Sequence, residues 1–160
     1  MTQFAADLHI HSRHSRATSK GLTIRNLAAW AEVKGLAVLG TGDCTHPGWL
    51  QEVERELVED GSGLLALREP GSLDGQIPGL PLTLGGGARF ILQGEISSIY
   101  KRGGKVRKVH NLVFLPTLEA AKALNVKLAQ VGNLGSDGRP ILGLDLSLIH
   151  ISEPTRREWL

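Results

Sequence analysis

The run Asp7-Leu8-His9-Ile10-His11 alternates metal-binding and apolar side chains, and no other stretch of the chain restricts its folding as tightly. Side chains at i, i+2 and i+4 of a strand share one face. A buried strand over 5–10 would therefore aim Asp7, His9 and His11 at one small volume and send Leu8 and Ile10 the other way. Two imidazoles and a carboxylate suit a divalent cation such as Zn²⁺, Mn²⁺ or Fe²⁺. Alone, the short His-x-His pattern also fits a strand with two solvent-facing histidines.

Three further candidates lie downstream, each beside an apolar run. Leu36–Gly40 leads into Thr41-Gly42-Asp43-Cys44-Thr45-His46-Pro47. Phe90–Gln93 runs into Gly94-Glu95, and Val106–Phe114 carries His110 inside it. Barrels and open α/β sheets place their chemistry at the ends of strands. Glu95, between Leu92 and Ile96, is expected to be buried, and a buried carboxylate wants a cation. Local alternatives stay open. Asp43 could cap the helix that Pro47 begins, with His46 a loop residue or phosphate contact. His110 could be a core histidine, and His14 is expected in solvent.

Strand, helix, strand, helix in that order argues for parallel pairing in an α/β fold. Thr23 can cap a helix with apolar positions at Ile24, Leu27, Ala28, Ala31 and Val33, stopped at Gly35. Pro47 opens a second helix with apolar positions at Trp49, Leu50, Val53 and Leu57. Leu64–Leu67 reads as a short strand. Residues 70–88, rich in Gly, Pro and Leu, read as a surface excursion. Strands near 89–99 and 106–115 flank Lys101-Arg102-Gly103-Gly104-Lys105, where Gly-Gly suits a tight hairpin. A helix from Pro116 or Thr117 to about Val131 follows, then a loop over 132–140 and an apolar piece at 141–144.

At 160 residues the chain has room for one domain. A net charge of +2 permits an anionic substrate without demanding one. Cys44 is the sole cysteine, which excludes a disulfide framework and fits the cytoplasm. No signal peptide is recognisable, and no apolar run approaches the ~20 residues of a membrane helix. A GxxxxGK[ST] phosphate loop is absent, which excludes a helicase reading. Leu146–Arg156 looks like the in-frame translation of a transposase adapter from sequencing libraries. The native sequence is accordingly expected to stop near Asp145, with 146–160 a non-native tail and His150 no ligand.

Asp7–His11, Ser15–Lys20, Gly40–Pro47, Gly94–Ser97 and Gly104–Asn111, in that order, resemble the motifs of the PHP superfamily of metallophosphoesterases. More narrowly the chain is similar to the endonuclease Q branch, whose members nick DNA beside deaminated bases. The resemblance, from about Ala5 to Asp145, implies the N-terminal part of a distorted (β/α)7 barrel with two or three metal ions at the strand ends. It implies that His9 and His11 bind one metal, that Glu95 bridges to a second held by His110, and that Asp43 serves a third. Asp7 would orient the histidine pair or touch metal itself. The family's later histidine and final Asp-x-His are absent, so the barrel is expected to be incomplete, lacking C-terminal strands and helices.

The resemblance further implies metal-dependent phosphodiester hydrolysis, with Glu95 and Asp43 as catalytic carboxylates and DNA as partner. Clustered cations activate water and neutralise phosphoryl oxygens. Arg13, Arg16 and Lys20 beside the site, and Lys101, Arg102 and Lys105 on the hairpin, would track DNA phosphates. Tyr100 could stack on an extruded base. The alternatives are a small-molecule phosphatase of the histidinol-phosphate type and an inactive metal-binding remnant. Oligomeric state is left open.

Overall fold

The first helix starts where its cap dictates. Thr23 accepts a hydrogen bond from the Asn26 N–H, and α1 runs over Ile24–Val33. Lys34 and then Gly35, at φ +69°, end it. The computed structural model describes residues 3–73, 77 and 87–144. Most of the 70–88 excursion, the boundary expected at 145 and the tail expected beyond it lie outside those residues.

The architecture is mixed α/β. Strands β1 (Ala5–Asp7), β2 (Leu36–Gly40) and β5 (Arg89–Arg102) pair in parallel, as the alternating element order required. Helix α2 (Pro47–Glu56) follows β2, then the short strands β3 (Leu57–Glu59) and β4 (Leu65–Leu67) fold back antiparallel. The sheet order is β1-β2-β5-β4-β3. Strand β6 (Lys105–Leu115) forms a hairpin with β5, and β7 (Ile141–Leu142) pairs with β5 in parallel. Helix α3 (Leu118–Leu128), capped by Thr117, lies between β6 and β7 in sequence.

Strand β5 belongs to two neighbourhoods. Over Arg89–Ile91 it pairs with β2, and Phe90 pairs with Leu65 of β4. From Leu92 onward its partner is β6, through to Arg102 opposite Lys105. Gly103 and Gly104 both take positive φ and close that hairpin at its tip. The larger core, with Ile24, Trp49, Val53 and Phe90 fully buried, lies against the first half of β5. A smaller cluster of Ile96, Leu128, Leu134 and Leu142 lies against the second half.

Three expectations need correction. The strand expected over 5–10 ends at Asp7 and is exposed, because β1 is the edge of the described sheet, with β2 as its one partner. Leu57 continues the helical spacing of α2 but is the first residue of β3 and caps the helix instead. Glu95 and His110 do not end their strands. Glu95 lies mid-way along β5, four residues past the last pair with β2, Gly40 with Ile91.

The turn after β2 is laced to β5 and to the core. Thr41 N–H donates to Ile91 O at 2.9 Å and Cys44 N–H to Gln93 O at 3.1 Å. The buried Trp49 indole N–H reaches Thr41 O at 3.1 Å and Gly42 O at 2.8 Å. Gly42 and Asp43 both take positive φ, +69° and +42°, and Asp tolerates that region better than most residues. A Cβ on Gly42 would meet Ile10 O at 3.0 Å, so this turn also sets the approach of the His9–His11 segment. Substituting Trp49→Phe keeps most of the buried ring and removes the donor from two carbonyls. It should lower unfolding stability by about 1–3 kcal/mol, read from the urea midpoint at unchanged slope.

Candidate metal centre

Four side chains from three parts of the chain converge on one carboxylate. Glu95 is 2% exposed. Its Oε2 lies 3.0 Å from His9 Nε2 and 3.1 Å from His11 Nε2. Its Oε1 contacts His110 Nδ1 and lies 3.8 Å from Arg139 Nη1. The histidines approach from the segment after β1 and from β6, where His110 stands opposite Ser97 in register. Arg139 comes from the loop before β7. The two carboxylate oxygens thus face different imidazole sets.

His11 is held from both ends. Its Nδ1 lies 3.0 Å from Asp43 Oδ1 while Nε2 faces Glu95. Asp43 is fully buried, and its Oδ2 accepts from the Ser12 N–H and hydroxyl, both at 2.6 Å, and from the Ser15 hydroxyl at 2.9 Å. Both oxygens are therefore occupied by protein donors. A proton on His11 Nδ1 given to Asp43 makes Nε2, which faces Glu95, the nitrogen that a metal would take, the arrangement of a carboxylate behind a metal-bound histidine.

These groups fit a divalent cation. His9, His11 and Glu95 form a group whose ligand atoms all lie within 4.8 Å of one another. Separations near 3 Å are those of neighbouring donors around a shared ion with bonds of about 2.0–2.1 Å. Gln93, two residues before Glu95 and on the same face of β5, is fully buried, and neither of its amide atoms has a hydrogen-bond partner among the described residues. A hydrated ion nearby would supply what that amide lacks.

The electrostatics agree with the geometry. Burial pushes the Glu95 carboxyl up, but His9, His110, Arg139 and His11 outweigh it and hold the group below the usual carboxylate range. Burial likewise opposes ionisation of Asp43, and hydrogen bonds from His11, Ser12 and Ser15 win. The hydrogen bond to Asp43 raises His11 against its own desolvation. Burial drives the Cys44 thiol up to about 12, so it packs rather than attacks.

Other sequence-predicted residues sit elsewhere. Asp7 is exposed and outside the converging group, because the chain leaves β1 directly after it, and its Oδ1 lies 3.3 Å from the His9 N–H. Asp43 does not cap α2. His46 does, its Nδ1 accepting from the Trp49 N–H at 3.3 Å. His14, expected in solvent, lies with its ring 4.2 Å from that of His46. Arg13 is tied to the buried Glu52, and Arg16 Nε lies 3.3 Å from Asp137 Oδ2. Lys20 and the hairpin residues Lys101, Arg102 and Lys105 are exposed. Tyr100 lies on the face of β5 opposite Glu95, by alternation. Ser12, Ser15, Gln93 and Arg139 were missed. A hint existed for the serines, set one and four residues after His11 in a polar loop.

The sequence matches no protein-family profile. An uncharacterized protein of Methanocaldococcus jannaschii is 50% identical over 56 residues, covering 32% of this chain and 7% of that protein. The crystal structure of a lesion-specific endonuclease Q from Pyrococcus furiosus matches 88% of this chain and 29% of its own, with TM-score 0.67 and 31% identity. A second structure, endonuclease Q with a 27-mer duplex substrate bearing an abasic lesion at the active site, matches 91% and 31%, with TM-score 0.69 and 31% identity. The chain is similar to endonuclease Q. It spans less than a third of either solved endonuclease Q chain. The α/β fold described above is an incomplete endonuclease Q-like barrel, as the sequence led one to expect. Among the described residues no helix is long and apolar enough to cross a membrane.

The shifts set a pH window for the metal-free protein. Glu95 and Asp43, depressed below ordinary values of 4.5 and 3.8, stabilise the fold above those values and cease to as pH falls through their lowered ones. His11, raised above 6.5, contributes fully below that pH and loses its contribution as pH rises through its folded value. These three groups should therefore stabilise chelator-treated protein most between about pH 4.5 and 6.5, read as the unfolding temperature, with the half-buried His46, whose value is lowered by desolvation, working against them at the acid end. Added Zn²⁺ or Mn²⁺ should extend that plateau to higher pH, because metal needs the deprotonated imidazole.

Proposed function

We propose that this chain carries the metal-bearing part of a DNA endonuclease of the PHP superfamily that cuts phosphodiester bonds at damaged sites. The observation that carries the reading is the convergence of His9, His11 and His110 on the two oxygens of one buried carboxylate, Glu95. The likeness to endonuclease Q supplies the substrate class, with deaminated bases the proposed lesion and DNA repair the proposed setting. Residues 1–145 would form the N-terminal part of the domain, and 146–160 a non-native tail.

In this reading His9, His11 and Glu95 would hold one cation, and His110 with the same carboxylate would hold a second. Zn²⁺, Mn²⁺ and Fe²⁺ suit such a nitrogen and oxygen set. Bound there, the ions would acidify a water and neutralise the phosphoryl oxygens. The protein's own contribution is positional. Glu95 fixes the spacing of the two half-sites, and Asp43 holds His11 in the tautomer whose Nε2 faces Glu95, in place of serving a third ion itself. The β5–β6 hairpin favours a polymer over a small phosphate ester. Lys101 lies six residues beyond Glu95, about 20 Å along the strand, too far to touch a small substrate held at the histidines.

Metal content per chain tests the centre directly. Purified protein should hold one or more divalent ions, and a combined His9→Ala and His11→Ala variant should lose them with its circular dichroism unchanged. Nicking of a duplex containing an abasic site or deaminated base should vanish with the metal. Retention of both in the double variant overturns the reading. For the hairpin, replacing Lys101 and Lys105 by alanine should reduce the slope of log affinity against log salt by about 2 on any duplex sequence. An unchanged slope removes the hairpin from the DNA path.

A further inference from the structure

We infer that Arg139 is the phosphate-clamping residue of this centre, presenting its guanidinium to the non-bridging oxygens of the phosphodiester held over Glu95. The inference rests on the reading of the centre as a phosphodiesterase and adds a residue to it. Arg139 lies in the loop between the 3₁₀ turn Leu134–Ser136 and β7, far in sequence from every other member of the site.

Three anchors fix where its side chain leaves the backbone. Gly138 N–H donates to His14 O at 2.9 Å, and Ser97 N–H donates to Pro140 O at 3.0 Å. Between them, Arg139 N–H donates to Asp137 Oδ1 at 3.1 Å. The loop passes so close over the centre that a Cβ on residue 138 would lie 2.2 Å from Asp43 Oδ2 and 2.5 Å from Ser15 Oγ. Arg139 is thus pinned at the rim by His14, Asp137 and Ser97, and the residue before it lies against the Asp43–Ser15 pair behind His11.

The guanidinium pairs with Glu95 by charge alone and is placed to take a further anion. Its Nη1 lies 3.8 Å from Glu95 Oε1, beyond hydrogen-bond distance, and the side chain is 41% exposed. Attraction to Glu95 holds it at the mouth without a hydrogen bond between the two. A cation on Glu95 would take up that carboxylate charge and leave the guanidinium in need of another anion. A phosphodiester offers two oxygens that match the planar fork. A lysine would keep the charge and lose the fork.

Inorganic phosphate is the probe. The full chain is loaded with Mn²⁺, its metal content is measured, and phosphate binding is followed by equilibrium dialysis for wild type, Arg139→Ala and Arg139→Lys. The expected result is an unchanged metal content and unfolding temperature, with phosphate affinity reduced about tenfold or more in Arg139→Ala and less in Arg139→Lys. Equal affinity in all three proteins overturns the proposal, as does a wild type that binds no phosphate. Loss of metal or of folding in Arg139→Ala also overturns it, since a structural counter-ion would behave that way. A wild type that takes up no Mn²⁺ fails the functional reading instead, and that outcome is visible before any phosphate is added.

Discussion

A carboxylate in the middle of a sheet, 2% exposed, is the constraint around which this molecule is arranged. Removing such a charge from water is costly unless positive groups or strong donors replace the lost hydration. Glu95 meets that demand by drawing His9 and His11 from one end of the chain, His110 from the neighbouring strand and Arg139 from the loop before β7. Three imidazoles and a more distant guanidinium replace that hydration and keep the carboxyl ionised. A buried carboxylate kept ionised among imidazole nitrogens is a donor set suited to a cation.

Strand β5 converts this local demand into a global one. Its first residues sit in the main core beside β2 and β4, and its later ones carry Gln93, Glu95 and Ser97 along the site. The turn that presents Asp43 is hydrogen-bonded to the same strand, and Trp49 clamps it from the core side. Fold and centre therefore share their stabilising contacts. Little slack separates the packing of α1 and α2 from the alignment of His11.

The sequence disclosed the residue types that cluster more readily than how they cluster. His9, His11, Glu95 and His110 were legible because a charged or imidazole side chain inside an apolar strand needs a reason to be there. The strand period was extended too far through Asp7, since an edge strand has one partner to hold it straight. Asp43 and His46 both could cap α2 on local pattern, and only the long-range arrival of Ser12 and Ser15 decides between them. Arg139 lies 44 residues from Glu95 in sequence, and no spacing rule reaches across a helix and two loops. In the fold, capped helices and the Gly-Gly hairpin announced themselves. Strand β3 did not, because Leu57 continues the helical spacing while its backbone turns extended.

The close passage over Asp43 makes position 138 one of two described glycines, with Gly132, at which a Cβ would lie within 2.5 Å of another side chain. Its restriction comes from crowding, since its φ is not in the left-handed region and the obstacles are a carboxylate and a serine hydroxyl. A single methyl group there would be a wedge between the loop and the residues that orient His11. The smallest change the genetic code can make to that side chain would thus act on two functions at once, lifting the rim residue away and loosening the histidine beneath it.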